Sequence, residues 1–122
     1  MALDPASIRR GAVVVVRLAG DKARPAVVVR SDLLSELSYA TVLPITSDLR
    51  PGIGMRIDIQ PNESNGLRVA SQVMSDWPQT IRIGDMGQTI GHLERATMQA
   101  ITREMAVVLG IGTDQSRRGH SG

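Results

Sequence analysis

The spacing of apolar residues along this 122-residue chain changes once, from strand-like alternation to a helical repeat. Up to residue 93 the apolar residues form short runs or alternate with polar ones, and turn-forming residues separate the runs. Strands are therefore predicted at residues 12–18, 26–30, 39–45, 55–59, 67–74, 80–83 and 89–93. The segment SDLLSE after the second strand predicts a short helical turn capped by Ser31 or Asp32.

Two prolines and one alternating segment add detail to this pattern. Pro25 stands at the entry of the second strand, where the missing N–H loses no needed hydrogen bond. Pro44 indicates an edge or a bulge near the end of the third strand. In the fifth strand, twofold alternation puts Leu67, Val69, Ser71 and Val73 on one face.

After residue 93 the apolar residues recur every three or four positions, as on one face of a helix. The range 94–109 therefore predicts one amphipathic helix, with Gly110 at its C′ position. Met98, Ile101 and Met105 are expected to pack against the sheet. Short strands followed by one terminal helix predict a mainly β fold, a small antiparallel barrel or sheet closed by that helix.

The length and composition fit one domain. Residues 1–111 are predicted as that domain, and the polar, glycine-containing segment 112–122 as a disordered tail. No apolar run approaches the roughly 18 residues of a membrane span, and MALDPASIRRG lacks the features of a signal peptide. There is no cysteine. We therefore expect a soluble, cytoplasmic protein without a membrane partner.

The charge is close to balanced but is carried almost entirely by arginine. Fourteen basic residues face twelve acidic ones, and Lys22 is the single lysine. Arginine offers a planar fork that suits phosphate groups, so this bias permits nucleic-acid contact without demanding it. Tyr39 and Trp77 are the only aromatic residues. A platform that stacks several bases is therefore not expected.

Several catalytic site types are missing from the sequence. His92 precedes the predicted helix and His120 lies in the predicted tail, so both are interpreted as structural or solvated. No histidine–cysteine cluster or carboxylate cage predicts a metal site. Neither a phosphate-binding GxxxxGK[ST] loop nor a nucleophile elbow occurs. No metal or cofactor is therefore predicted.

Polar residues remain at the ends of three predicted strands. Arg24 comes just before the second strand, Thr46 and Ser47 follow the third, and Ser75 and Asp76 follow the fifth. If these strands are neighbours in a small barrel, their ends converge on one rim, where functional groups are often found. The alternative is that Thr46 and Ser47 only cap a turn.

Four segments, taken in order, resemble the MazF/PemK toxin family. They are GDKARPAVVVRSD, TVLPITS, NGLRVASQVMSD and IGHLERATMQAI, and they span roughly residues 8–111. The resemblance implies an SH3-like β-barrel of the CcdB/PemK type that forms a homodimer. It also implies a metal-independent endoribonuclease that cleaves single-stranded RNA, through attack of the 2′-OH on the phosphodiester, and is neutralised by a small MazE-like antitoxin.

The resemblance also assigns roles to individual residues. Arg24 and Thr46 match the family's main catalytic pair, and Asp76 matches an aspartate that some members use. A guanidinium at Arg24 would supply forked donors to phosphoryl oxygens. Asp76 could accept the proton of the 2′-OH. We further expect RNA contacts from Lys22, Ser47, Ser75, Trp77 and Gln79.

The chain departs from the family pattern after Asp76. The frequent Asp-Gln-x-Arg-Thr is replaced by Asp-Trp-Pro-Gln-Thr at residues 76–80, which removes one arginine and leaves Gln79. An inert SH3-like interaction module is one alternative. A CcdB-like gyrase poison, which has the same fold and no nuclease activity, is the other. That branch ends its helix with Trp-Gly-Ile, whereas this chain has Leu-Gly-Ile at residues 109–111.

Overall fold

The computed structural model describes residues 8–18, 22–51 and 55–112. Within these residues it contains seven strands and one α-helix. The strands are β1 (Ala12–Arg17), β2 (Ala23–Val28), β3 (Tyr39–Thr46), β4 (Arg56–Ile59), β5 (Ser71–Met74), β6 (Gln79–Arg82) and β7 (Thr89–His92), and the helix is α1 (Arg95–Leu109). Short 3₁₀ helices lie at Asp32–Leu34 and Ile83–Asp85.

All recorded strand pairs are antiparallel and form one curled sheet, a half-barrel closed by α1. The strand order is β4-β5-β3-β2-β1-β7, and β6 pairs with β3. The long strand β3 is the centre, because residues 39–42 pair with β6 and residues 45–46 pair with β5. The predicted fold class is confirmed.

The central strands are buried on both faces, which explains their nearly uninterrupted valine runs. Alternate residues enter two hydrophobic clusters. The first contains Val14, Val16, Ala26, Val28 and Val42, and the second contains Val13, Val27, Leu43, Ile45 and Val73. Ile101 of α1 is fully buried in the second cluster, and Met98 and Met105 pack against it. The predicted helix contacts are confirmed.

The predicted caps also form. The Ser31 side chain accepts a hydrogen bond from the Leu33 N–H at 3.1 Å, which closes the short turn predicted there. Gly110 ends α1 in the left-handed region, with φ at 71°. No helix in the described part of the chain is long and apolar enough to cross a membrane.

The fifth predicted strand is shorter than its alternating pattern suggests. It begins at Ser71 instead of Leu67, because the buried Asn65 side chain binds the neighbouring backbone. Its Oδ1 accepts from the N–H groups of Asn62 and Leu67, at 3.1 and 3.0 Å. Its amide donates to the Gln60 carbonyl at 2.9 Å. These local bonds compete with pairing to another strand, so residues 67–70 form a loop.

Both prolines lie inside strands rather than at their ends. Pro25 is the third residue of β2, and Pro44 is buried within the central β3 rather than at an edge or bulge. The Val29 N–H donates to the Thr41 carbonyl, which fixes the alternation of hydrogen-bonded pairs between β2 and β3. By that alternation the Pro44 nitrogen points away from β2, where the partner of β3 changes from β6 to β5.

Pro25 has a larger consequence, because it ends the pairing of β2 with β3. The same alternation puts Pro25 opposite Ile45 at a hydrogen-bonded position. Proline has no N–H for that pair. The recorded pairing accordingly stops one position earlier, at Ala26 and Pro44. A cavity begins where this pairing ends, lined by both Pro25 and Ile45.

The predicted disordered tail lies outside the described residues from 113 onward, as does the Gly20–Asp21 turn. The division into residues 1–111 and a tail at 112–122 therefore stays a prediction.

The role of Pro25 can be tested by restoring the missing donor. In Pro25→Ala, the new amide at position 25 should bond to Ile45 and exchange with solvent at least on the order of tenfold more slowly than an unstructured amide. Hydrogen exchange by NMR measures this rate. Pro61→Ala, in an exposed loop, is the matched control. Equally fast exchange at positions 25 and 61 would contradict the account.

Candidate functional site

The strand register aligns three polar side chains across the sheet, and its continuation adds a fourth. The β2–β3 register, continued two residues past Ala26 and Pro44, places Arg24 opposite Thr46. Thr46 pairs with Gln72 of β5, and Gln72 pairs with Asp58 of β4. Directly opposite residues point to the same face of a sheet. We term Arg24, Thr46, Gln72 and Asp58 the transverse row.

Arg24 carries a guanidinium that no protein group neutralises within the described residues. The side chain is exposed, and it has neither an ion pair nor a hydrogen bond in that part of the chain. Its backbone is held by β1, where it pairs with Val16. The strand thus fixes the Cα position while the donors of the fork stay available to an anion.

Thr46 ends β3 and is half-buried. Its Oγ1 accepts a hydrogen bond from the Asp48 N–H at 3.0 Å, so it does cap the turn, as the alternative interpretation predicted. This role leaves the hydroxyl hydrogen free to donate, because a hydroxyl has one donor and two acceptor positions. Turn capping and a role in binding an anion are therefore compatible.

A cavity of about 390 Å³ opens between the ends of β2 and β3 and the loop at residues 66–71. Among its described lining residues three are cationic, namely Lys22, Arg24 and Arg68, and none is acidic. Ser47 and Ser71 add hydroxyl groups. The remaining side chains are mostly apolar, from Pro25, Ile45, Leu67, Val69 and Ile90. The cavity therefore suits a ligand with an anionic group beside a flat, weakly polar one.

Arg68 is a member of this site that the sequence analysis missed. It was placed inside a predicted strand, whereas the structure puts it on the exposed loop that borders the cavity. Within the residues that the structure describes, it has no ion pair or hydrogen bond. The signal that could have identified it is the Asn-Gly pair at residues 65–66, which favours a turn just before it.

Close backbone contact holds that loop on β7. Gly66 has φ of 70°, and a Cβ at this position would lie 2.1 Å from the Ile90 carbonyl oxygen. A Cβ on Gly91 would likewise lie 2.4 Å from the carbonyl carbon of Asn65. Only glycine fits at these two positions. The loop that carries Arg68 is therefore fixed against the sheet at its base.

The structure does not bring the residues after β5 to the cavity. Asp76 and Trp77 lie exposed in the turn between β5 and β6, and neither lines the cavity. Gln79 pairs with Val42, four residues before Thr46, which corresponds to about 13 Å along β3. Roles for these residues stay predictions.

Ser75 requires a correction as an RNA contact. Its side chain is fully buried, at 0% exposure, and it therefore offers no surface to a ligand. Its backbone N–H donates to the Met55 carbonyl at 3.1 Å, which holds the start of the turn against the residue before β4. Its hydroxyl has no hydrogen-bond partner in the described structure.

No cluster of three or more histidine, cysteine, aspartate or glutamate side chains that could hold a metal ion occurs among the described residues. His92 is exposed at the end of β7, and His120 lies outside the described range.

Comparison with known proteins gives one family and several relatives. A family model for PemK-like, MazF-like toxins of type II toxin–antitoxin systems matches residues 9–109. Over 74 residues the chain is 36% identical to endoribonuclease MazF3 of Mycobacterium tuberculosis, a match that covers 60% of this chain and 69% of the relative.

Solved structures resemble it over most of its length. The Mycobacterium tuberculosis toxin MazF-mt6 superposes with a TM-score of 0.71 at 30% identity, and the match covers 84% of this chain and 98% of that one. A mycobacterial endoribonuclease, solved in complex with its cognate antitoxin, gives a TM-score of 0.76 at 24% identity, with 87% and 98% covered. At 24% identity, the match to this second structure shows only that the two chains share a fold.

Proposed function

Because the chain belongs to the PemK-like, MazF-like toxin family of type II toxin–antitoxin systems, we propose that it cleaves single-stranded RNA at the cavity beside Arg24 and Thr46. Two observations carry this proposal. The β2–β3 register, when continued past its last recorded pair, sets Arg24 opposite Thr46. Arg24 also lines the adjacent cavity together with Lys22 and Arg68, with no acid among the described lining residues. The CcdB-like alternative is not favoured, since the family model and the relatives are of the MazF type.

The residues at the site suit the chemistry of RNA self-cleavage. The 2′-oxygen attacks the adjacent phosphorus, the bond to the 5′-oxygen breaks, and the products carry a cyclic phosphate and a 5′-hydroxyl. Negative charge grows on the phosphoryl oxygens in the transition state. Arg24 donates from its fork to these oxygens, and Thr46 donates its free hydroxyl hydrogen. One such preorganised donor contributes about 3–4 kcal/mol to catalysis.

Two protons must also move during this reaction. The 2′-OH loses one proton, and the leaving 5′-oxygen gains one. We propose Asp76 as the acceptor on the basis of the family resemblance; it is exposed and lies in the turn after β5. The proposal for Asp76 is independent of the roles of Arg24 and Thr46, and the variants below separate them.

The shape of the cavity favours a single-stranded substrate. Its apolar wall from Leu67, Val69 and Ile90 can accept the face of a base, and its cations can accept a phosphate. A base in a duplex is stacked and paired, so it cannot enter a concave site without leaving the helix. Lys22 and Ser47 line the same cavity and are proposed to contact the RNA backbone.

We also propose a homodimer. The last turn of α1 and the residues after it expose large apolar side chains, with Val107, Leu109 and Ile111 between 54% and 63% accessible. Apolar side chains grouped in this way on a small domain are typical of surfaces that bind another protein. A second copy of this chain would cover them.

Cleavage and its site can be tested together with purified protein and a long RNA in EDTA. The wild type should cut and leave cyclic-phosphate and 5′-hydroxyl ends. Arg24→Ala and Thr46→Val should each slow cleavage by at least about a hundredfold, because each removes a donor to the phosphoryl oxygens. Arg24→Lys should recover part of the rate, since one ammonium cannot make the forked contact.

Two further variants serve that experiment. Arg103→Ala removes an exposed charge from α1 and should cut at the wild-type rate. Asp76→Asn should slow cleavage by about 10²–10⁴-fold if Asp76 is the proton acceptor. Wild-type cleavage by Arg24→Ala would place the active site elsewhere.

Arg68 should contribute to RNA affinity through a phosphate contact. Arg68→Ala should weaken binding of an uncleavable RNA and lower the slope of log K against log salt concentration by roughly 0.7, the value for one phosphate contact on a single strand. Fluorescence anisotropy over a salt series measures both quantities, with Arg103→Ala as the charge-matched control. An unchanged slope would exclude Arg68 from phosphate binding.

The antitoxin is proposed to be a MazE-like protein whose acidic, partly disordered segment covers the cavity and folds as it binds. The three cations of the cavity, and a related endoribonuclease solved with its cognate antitoxin, support this partner. Co-expression of the acidic antitoxin should restore growth of cells that produce this chain. Continued growth arrest in the presence of the antitoxin would argue against the partner.

A further inference from the structure

A buried amide in the transverse row organises the turn that follows Thr46. Gln72 is only 5% exposed. Its Oε1 accepts from the Arg50 backbone N–H at 2.9 Å and from Arg56 Nη1 at 3.1 Å. Its Nε2 donates to Asp58 Oδ1 at 2.8 Å. We term Gln72, Arg56 and Asp58 the Gln72 network.

This network is connected to the Thr46 hydroxyl by an unbroken series of hydrogen bonds. Arg56 Nη1, which donates to Gln72, also donates to the Asp48 carbonyl at 2.9 Å. The Asp48 N–H in turn donates to Thr46 Oγ1 at 3.0 Å. The Asp48 carboxylate is further paired with Arg50 at 3.1 Å. Each end of the turn at residues 46–50 is thus fixed to β4 or β5.

The turn needs this support because its own residues are exposed. Residues 47–50 are all exposed, so burial contributes little to holding the backbone there. The direction of the Thr46 O–H depends on the Asp48 N–H, which occupies one of the oxygen's acceptor positions. Any movement of Asp48 would therefore turn the hydroxyl.

We propose that Gln72 and Arg56 are positioning residues for RNA cleavage. They hold the Asp48 N–H against Thr46, so that the free hydrogen of the hydroxyl points at the scissile phosphate. This inference rests on the proposed function of Thr46. It predicts that loss of the Gln72 network slows the chemical step and leaves RNA binding nearly unchanged.

A direct contact between Arg56 and RNA would have a different signature. Removal of a phosphate contact weakens binding and lowers its salt dependence. Removal of a positioning contact lowers the rate on bound RNA. Gln72 is uncharged and buried, so its substitution distinguishes a positioning contact from an RNA contact without any change in charge.

The test compares single-turnover cleavage with the affinity for an RNA that lacks the reactive 2′-OH. Gln72→Met and Arg56→Met should cleave about tenfold to a hundredfold more slowly, because a small misplacement of a reacting group costs up to about 10²-fold. Their affinities should stay within about threefold of wild type, since neither residue touches the RNA. Arg56→Lys should restore most of the rate, because both bonds come from one nitrogen and an ammonium has three donors.

A double-mutant cycle then identifies the route of the effect. In the Thr46→Val background, Gln72→Met should slow cleavage by less than about twofold, because residues that act through one group are not additive. Gln60→Met, at an exposed position next to β4, is the control that should leave the rate unchanged. Thermal unfolding establishes that each variant is folded. If Gln72→Met does not fold, the comparison of Arg56→Met with Arg56→Lys completes the test.

The outcomes distinguish this inference from the proposed function. An equal effect of Gln72→Met in both backgrounds, or a loss of affinity in place of rate, would overturn the positioning role. A wild-type rate for Thr46→Val would instead refute the proposed site.

Discussion

The cavity beside Arg24 depends on one hydrogen bond that cannot form. Strands β2 and β3 lie side by side in the middle of the sheet, and their pairing would continue through Pro25 and Ile45 if position 25 had an N–H. Proline removes that donor, so the pairing ends and the cavity begins. Arg24 is still held on its other side by Val16 of β1. The Arg24 Cα therefore has a fixed position beside a gap that its side chain lines, which explains why an arginine directly precedes this proline.

Positively charged side chains are concentrated around this gap. The chain as a whole is almost neutral, with a net charge of +2, yet the cavity is lined by three cations and, among the described residues, by no acidic one. Two acidic side chains of the neighbouring strands and turn have partners: Asp48 pairs with Arg50, and Asp58 accepts from Gln72. Carboxylates thus help to hold the turn, whereas Arg24 and Arg68 have no ion pair within the described residues. The arrangement concentrates positive charge locally without a strongly basic protein.

Most of the fold could be predicted because its signals are local. The valine runs of β1 and β2, the cap at Ser31 and the left-handed Gly110 each depend on a few neighbouring residues. The loop at residues 67–70 was predicted as a strand because its alternation is real, whereas the side-chain bonds of Asn65 that prevent pairing are invisible in the pattern. Arg24 and Thr46 could be selected from strand ends and a family resemblance. The pairing of Thr46 with Gln72, and the hydrogen bonds of Gln72, depend on the register between strands, which composition and spacing do not determine.

The central claim is that the scissile phosphate binds between the Arg24 guanidinium and the Thr46 hydroxyl. The most direct measurement is a crystal structure of the chain bound to an RNA with a 2′-deoxy sugar at the cleavage position, which blocks the reaction and leaves the phosphate intact. The account predicts phosphoryl oxygens within about 2.7–3.2 Å of both donors, with a base against the apolar wall of the cavity. An RNA that instead follows the turn at Trp77 and leaves the cavity empty would contradict it.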